Sequence, residues 1–261
     1  MPKPRTSSVH ARPYGWQPDL PDQRDHLYAV PGPIAANLPA SVDLRPKCPP
    51  VLDQGQLGSC TANSLANAHL FDQMAQNDPQ DQLPSRLFIY WNERDLEGSV
   101  QSDSGAQIRD GIKVLAKLGA PPESVWPYDI AQFATKPPAA AYQTALSEVA
   151  LNYQRLTQSL PQLKGALAAG YPFVFGFTVY ESFESDAVAT TGIVPMPGPT
   201  ERSLGGHAVM AVGYDDSLQV FRVENSWGPT WGQNGFFTIP YAYLASANLA
   251  SDFWTIRQVK V

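Results

Sequence analysis

One of the chain's two cysteines, Cys60, ends the run Gln54-Gly55-Gln56-Leu57-Gly58-Ser59-Cys60. Far downstream lie Gly205-Gly206-His207-Ala208-Val209 and Glu224-Asn225-Ser226-Trp227-Gly228. Together they offer a thiol, an imidazole, a carboxamide and a glutamine six residues before the thiol, the parts required for nucleophilic attack on a peptide carbonyl. A thiol attacks well only as the thiolate. A helix beginning near Ser59 would set Cys60 at its positive end, where unpaired N–H groups favour an anion, and an imidazolium at His207 would add a second stabilising charge. Asn225 can fix the orientation of the imidazole, and unlike an aspartate it brings no negative charge. Trp227, two residues on, can shield that contact from water. The side-chain N–H of Gln54 and the backbone N–H of Cys60 can receive a developing oxyanion, where loss of one donor typically costs roughly 100- to 1,000-fold in rate.

Taken singly, each residue has a plainer reading. A buried cysteine at a helix start is commonly a small apolar filler, a histidine beside glycines a structural group, and Asn-Ser-Trp-Gly a strand-ending turn. Their joint occurrence, in this order and with these neighbours, favours the chemical reading. The elements that must position them can be sketched from the pattern. Cys60 to about Ala75 has helical composition without Pro or Gly, and Ser59 is its expected N-cap. A second helix is expected after Pro84, ending by Gly98. A third, capped by Ser104, carries Ile108, Ile112, Leu115 and Leu118 on one face and stops at Gly119. Shorter helices are expected at 138–149 and 159–169. Apolar, β-branched and aromatic runs then predict strands over Phe173–Tyr180, His207–Tyr214, Leu218–Val223, Gly235–Ile239 and Phe253–Val259, with a turn at Asp215-Asp216-Ser217. Helices first and strands later indicate an α+β protein with two lobes.

The 261 residues suffice for one large domain or two lobes around a cleft. A net charge of −6 with no Lys/Arg block argues against a nucleic-acid partner. The longest apolar run, Tyr171 to Tyr180, is too short to cross a bilayer, so no membrane role is expected. Two cysteines, Cys48 and Cys60, cannot form a disulfide framework or a cysteine-rich zinc site, and no histidine pair has ligand spacing; neither metal nor cofactor is expected. The basic residues near Met1 are not followed by an apolar stretch, so no secretory signal is read, and with so few cysteines the expected setting is the cytoplasm, non-classical secretion being the alternative. Residues 1–40 form a Pro-rich arm without helical or strand period. Tyr14, Trp16 and Tyr28 are aromatics that a disordered tail would usually lack, so the arm is expected to dock on the body.

Gln54 through Cys60, Gly206-His207-Ala208-Val209 and Asn225-Ser226-Trp227-Gly228, followed by Trp231-Gly232-Gln233-Asn234-Gly235, resemble the papain family of cysteine proteases. The resemblance begins near Leu38-Pro39-Ala40-Ser41-Val42-Asp43 and runs to the end of the chain; the short arm and low cysteine content are most similar to bacterial members. It implies a helical left lobe (41–150, carrying the nucleophile), a β-barrel-like right lobe (151–261, carrying the histidine and asparagine) and a cleft between them. It implies Cys60 as nucleophile, His207 as general base and then acid, Asn225 as orienting residue and Gln54 as oxyanion donor. Gly105 and Ala106 fall where the family binds substrate backbone. Ile108, Ala208 and, more loosely, Gly176 fall near the pocket for the second substrate residue, and Trp227 also belongs to the implied substrate side. The substrate is a peptide or protein.

Departures from the family pattern are informative. Leu57 and Asp103 stand where many relatives have a disulfide, Thr61 replaces an aromatic after the nucleophile, and Gly206 replaces a frequent aspartate before the histidine. No long inhibitory prodomain is read before this domain, and the arm itself is expected to pack along the cleft and restrain activity. Cys48, among Pro46, Pro49 and Pro50, reads as a free, inert thiol, the alternative being a redox partner of Cys60. Two other functions share this apparatus: acyl transfer to an amine (a transferase or amidase), and a catalytically silent peptide-binding module, whose usual mark is loss of Cys, His or Asn.

Overall fold

The computed structural model describes residues 13–77 and 82–259; residues 1–12, the first part of the arm, and 260–261 lie outside the described residues, as do 78–81. In chain order the elements are β1 (Trp16–Gln17), α1 (Gly32–Ala36), β2 (Ser41–Asp43), α2 (Cys60–Ala75), α3 (Arg86–Leu96), β3 (Ala106–Gln107), α4 (Ile108–Lys117), α5 (Ala139–Ala145), β4 (Ala150–Arg155), α6 (Leu160–Ala168), β5 (Phe173–Tyr180), α7 (Asp186–Thr191), β6 (Ser203–Asp215), β7 (Val220–Glu224), β8 (Phe236–Pro240), α8 (Tyr241–Ala245) and β9 (Ala250–Val259). No helix among the described residues is long and apolar enough to cross a membrane.

The second-half strands form an antiparallel sheet in the order β4-β9-β5-β6-β7-β8, with β2 paired to β6 as a further strand. The sheet is open and not a closed barrel: among the described residues β4 and β8 stand at opposite ends of the strand order without pairing. The pairing of Ser41–Asp43 with Gly213–Asp215 also ties the start of the expected helical lobe to the sheet of the other half. Buried aromatics fill the sheet's inner face: Phe173, Phe175 and Phe253 pack together, and Phe177 packs on Phe183, Phe237 and Tyr243.

The helix α2 spans the expected residues but is not amphipathic: every residue from Cys60 to Gln73 is buried. It lies between the sheet, against β6 and β9, and the helices α3 and α4. Burial favours partners for its polar side chains inside the protein, and several have them, whereas the ring nitrogens of His69 have none among the described residues. Asn63 donates to the Ser59 carbonyl (2.9 Å), Ser64 to the Cys60 carbonyl (2.9 Å), Asn67 to the Pro50 carbonyl (3.2 Å), and Gln73 to Glu148 (2.5 Å). Two expected caps are revised. Ser59 precedes α2 without capping it, its hydroxyl pairing instead with that of Tyr128 at 2.5 Å. Ser104 lies before β3, not at the helix end; α4 begins at Ile108, and the carboxylate of Asp19 in the arm accepts the Arg109 amide at 3.0 Å. A local sequence window cannot supply a cap that arrives from 90 residues away.

Burial, against the opposing charge of Arg257, pushes the Asp72 carboxyl of α2 up from 3.8 to about 8. The folded state thus holds this proton more tightly than the unfolded chain. The resulting stability is fully present below pH ~4 and is lost as the pH rises through about 8. Asp72→Asn, which cannot ionise, is expected to match the parent near pH 4 and to exceed it by about 2–4 kcal/mol at pH 8. Urea unfolding at the two pH values checks this; an equal difference at both would reject it.

Candidate active site

Cys60 is the first residue of α2 and is fully buried. Its Sγ accepts the amide of Ala208 (3.4 Å), which brings the helix start against β6 at the residue following His207. The imidazole of His207 is fully buried too, with Nε2 2.8 Å from Asn225 Oδ1. The same oxygen accepts the Ser226 amide at 2.9 Å. An oxygen that takes a backbone N–H is an acceptor, so Nε2 must carry hydrogen, and Nδ1, which makes no hydrogen bond among the described residues, is left with its lone pair. Trp227 packs on the imidazole with ring centroids 5.3 Å apart, as the sequence suggested, and Trp231 and Phe183 close the layer behind it.

Gln54 is held by a short antiparallel ladder between its own loop and the asparagine loop: Asp53 bridges Trp227, the Gln54 amide donates to the Ser226 carbonyl (2.9 Å), and the Gly228 amide donates to the Leu52 carbonyl (2.9 Å). Ser226 Oγ donates to Gln54 Oε1 at 2.7 Å, which turns Nε2 toward the Leu57 carbonyl (3.0 Å). Sequence reasoning missed Ser226, although it stands inside the motif. It also missed what replaces the disulfide. Asp103 accepts the Gly58 amide through both carboxylate oxygens, each at 3.0 Å, and so ties the loop before the nucleophile to the residues before β3. Thr61, in place of the usual aromatic, donates to the buried Glu93 at 2.9 Å. Cys48 and Cys60 are both free.

The arm enters this site. Gln54 Nε2 donates to the Pro13 carbonyl at 3.2 Å, and the Gly15 amide reaches Cys60 Sγ. Tyr14 donates its hydroxyl hydrogen bond to Glu184 and sets its ring edge-on to His207, centroids 6.1 Å apart. Trp16 and Gln17 then pair in parallel with Ala106 and Gln107, the Ala106 amide donating to the Gly15 carbonyl at 2.7 Å. Glycines make the fit. A Cβ on Gly15 would fall 1.6 Å from the Gly58 carbonyl oxygen, one on Gly105 2.1 Å from the Gly15 carbonyl oxygen, and one on Gly176 or Gly206 1.9 or 2.5 Å from Trp16. The glycine that replaces an aspartate before His207 is therefore the floor under the arm. Of the substrate-side residues named from the sequence, Gly105, Ala106, Gly176 and Trp227 touch or flank the arm, while Ile108 and Ala208 are fully buried core residues. Further along, the Asp19 amide donates to Asp252 (2.8 Å), its carboxylate accepts from Trp254 Nε1 (2.8 Å), and Asp25 bridges Arg109 and Arg155.

The expected thiol activation is not met in this arrangement. Burial pushes the Cys60 thiol up to about 11, against the lowering effect of the Ala208, Gly15 and Thr61 amides, and burial pulls the His207 imidazole down to about 4 against its bond to Asn225. With water displaced by the arm, neither the thiolate nor the imidazolium is favoured. Among the described residues no group of three or more His, Cys, Asp or Glu could hold a metal ion.

Residues 38–254 match the family described as papain family cysteine protease. An uncharacterized peptidase C1-like protein of Acanthamoeba polyphaga mimivirus is 43% identical, the match covering 97% of this chain and 89% of the viral protein. A cathepsin B-like protein, CP3, of Giardia intestinalis is 31% identical over 83% of this chain and 74% of its own length. Among solved structures, xylellain, a cysteine protease from Xylella fastidiosa, superposes with a TM-score of 0.89 at 44% identity, covering 95% of this chain and 96% of that one. The procathepsin B S9 of Trypanosoma congolense, at 19% identity and a TM-score of 0.72 over 87% and 80% of the two chains, shares the fold. The chain belongs to the papain family of cysteine proteases and is a cysteine peptidase.

Proposed function

We propose that Cys60, His207 and Asn225 act as a catalytic triad that hydrolyses peptide bonds through a thioester, with Gln54 as oxyanion donor. The observation that carries this reading is the bond from His207 Nε2 to Asn225 Oδ1, which leaves Nδ1 as the free base on the strand that also donates an amide to Cys60 Sγ. Nδ1 takes the thiol proton, and the sulfur adds to the substrate carbonyl carbon. The oxygen of the tetrahedral intermediate is met by Gln54 Nε2 and the Cys60 amide. The C–N bond breaks as His207 returns the proton to the leaving amine. Water then gives a proton to His207, attacks the thioester and releases the acid and the free thiol. Gly105 and Ala106 offer a backbone edge along which an extended peptide can lie, and Gly176 and Trp227 flank it.

The arm restrains this activity. Its Pro13 carbonyl engages the oxyanion donor, its Gly15 amide engages the nucleophile, and Trp16 takes the peptide edge. A substrate needs all three places, so arm and substrate compete.

Two outcomes test the reading. Cys60→Ala should fold with unchanged circular dichroism and lose turnover of a peptide amide by at least about 1,000-fold; retained hydrolysis would sink the triad. Gly15→Ala alters no group of the triad but sets a methyl against the Gly58 carbonyl. A clash worth about 1.4 kcal/mol already shifts arm occupancy tenfold. The full-length variant should therefore hydrolyse the amide, and react with iodoacetamide at Cys60, at least about ten times faster than the parent. Equal rates would reject arm restraint.

A further inference from the structure

A small cavity of about 10 Å³ is bordered by Asn67 on α2, by Glu224, the last residue of β7, and by Asn225 just after it. Each of these three residues is at least 96% buried. Each has one polar atom committed elsewhere. Asn67 Nδ2 donates to the Pro50 carbonyl (3.2 Å) and to Glu224 Oε1, which turns Asn67 Oδ1 away from both. Asn225 Oδ1 takes the Ser226 amide and faces His207, which turns Nδ2 the other way. What remains are Asn67 Oδ1, Glu224 Oε2 and Asn225 Nδ2, three buried polar atoms that make no hydrogen bond of normal geometry among the described residues, although the Cys48 thiol also lies beside the Glu224 carboxyl. The other polar side chains on the wall are already satisfied: Asn63 by Ser59 and Arg86, Ser64 by the Cys60 carbonyl, and Ser226 by Gln54.

We infer that this cavity is a site for one water molecule, and that Asn67 and Glu224 are positioning residues that hold Asn225 through it. The volume suits a single water molecule, and three polar atoms lie within the two to four partners that a buried water needs. The chemistry also balances. Water donates to Asn67 Oδ1 and accepts from Asn225 Nδ2, and it can donate to an ionised Glu224 or accept from a protonated one. The site is therefore filled whichever form the carboxyl takes. Its consequence lies one bond further on. A carboxamide with only its oxygen bonded can swing about its Cγ–Cβ bond, whereas one bonded at both ends holds Oδ1 toward Nε2. Asn225 thus keeps the imidazole in the Nε2–H form through a relay that begins on the nucleophile's own helix, so that α2 positions both the sulfur and, through the water, the base.

The inference rests on the triad reading for its kinetic arm only; its structural arm stands alone. A crystal structure of the full chain, at a resolution that shows ordered solvent, should place a water about 3 Å from Asn225 Nδ2, Asn67 Oδ1 and Glu224 Oε2; a dry cavity overturns the inference whatever the activity. Kinetics are read in the full-length Gly15→Ala chain. Asn67→Leu, similar in size and without polar atoms, should lower kcat about tenfold with KM unchanged. It should also move the alkaline limb of the pH profile to lower pH, because the bond from Nε2 that favours the imidazolium is weakened. Asn67→Ser, which keeps a hydroxyl beside the water, should recover part of kcat. An unchanged kcat and limb in Asn67→Leu overturns the inference. If that variant fails to fold, Asn67→Ser must show a kcat below the parent with KM unchanged, or the inference falls. Absence of peptidase activity in every version, with the water present, would instead count against the triad reading.

Discussion

The structure turns on a helix that is buried on every side although its sequence is half polar. α2 is held between the sheet and the helices α3 and α4, and only because it lies broadside on β6 does the sulfur of Cys60 meet the Ala208 amide. Removing so many amide and hydroxyl groups from water is costly unless each finds a partner. The polar partners on neighbouring segments, namely the Pro50 carbonyl, Glu148, Arg86 and Glu224, are thus a condition of the helix being there at all. The same bonds fix its rotation and height, and hence the place of the nucleophile at its first residue. Catalytic geometry and fold stability depend on one set of contacts.

The arm is the second constraint, and it is steric before it is energetic. Its path beside the thiol is admitted by the missing side chains of Gly15, Gly105, Gly176 and Gly206, which come from four separate segments. Beyond the cleft it is fastened by charge: Asp19 and Asp25 sit against Arg109, Arg155 and Trp254, and Asp19 replaces the cap that α4 does not supply for itself. The arm therefore contributes to the folded core as well as covering the site, a different economy from that of a separately folded inhibitory segment.

Burial of the thiol and imidazole under the arm changes their electrostatics. The start of α2 offers Sγ the Thr61 amide, and the Ala208 and Gly15 amides add to it, yet desolvation outweighs all three. Backbone dipoles bias a thiol toward the anion, but hydration of the charge is the larger quantity when the site is closed. Covering such a site both blocks substrate and holds the nucleophile and base in their neutral forms.

Much of this was legible in the sequence because it is local. The span of α2, the strand Phe173–Tyr180 and the Asp215-Asp216-Ser217 turn follow from composition and periodicity over short windows, and the thiol, imidazole and carboxamide announce themselves by type and neighbours. The docking aromatics Tyr14 and Trp16 were legible too, since a free tail has no use for them. The short strands β1, β2, β3 and the strand β4 were not, because pairs of two or three residues carry no period and polar Asn152, Gln154 and Arg155 break up the apolar run of β4. Nor were Asp103, Asp19, Ser226 and Glu224, whose roles depend on partners tens to hundreds of residues away. By itself the sequence determined which chemical groups are present and which helices and strands bear them. Only the tertiary structure decided that the arm's Gly15 meets the sulfur, that the thiol is held neutral there, and that Asn67 and Glu224 stand behind the imidazole's partner. Those outcomes are set by excluded volume and desolvation, which exist only once distant segments are brought together.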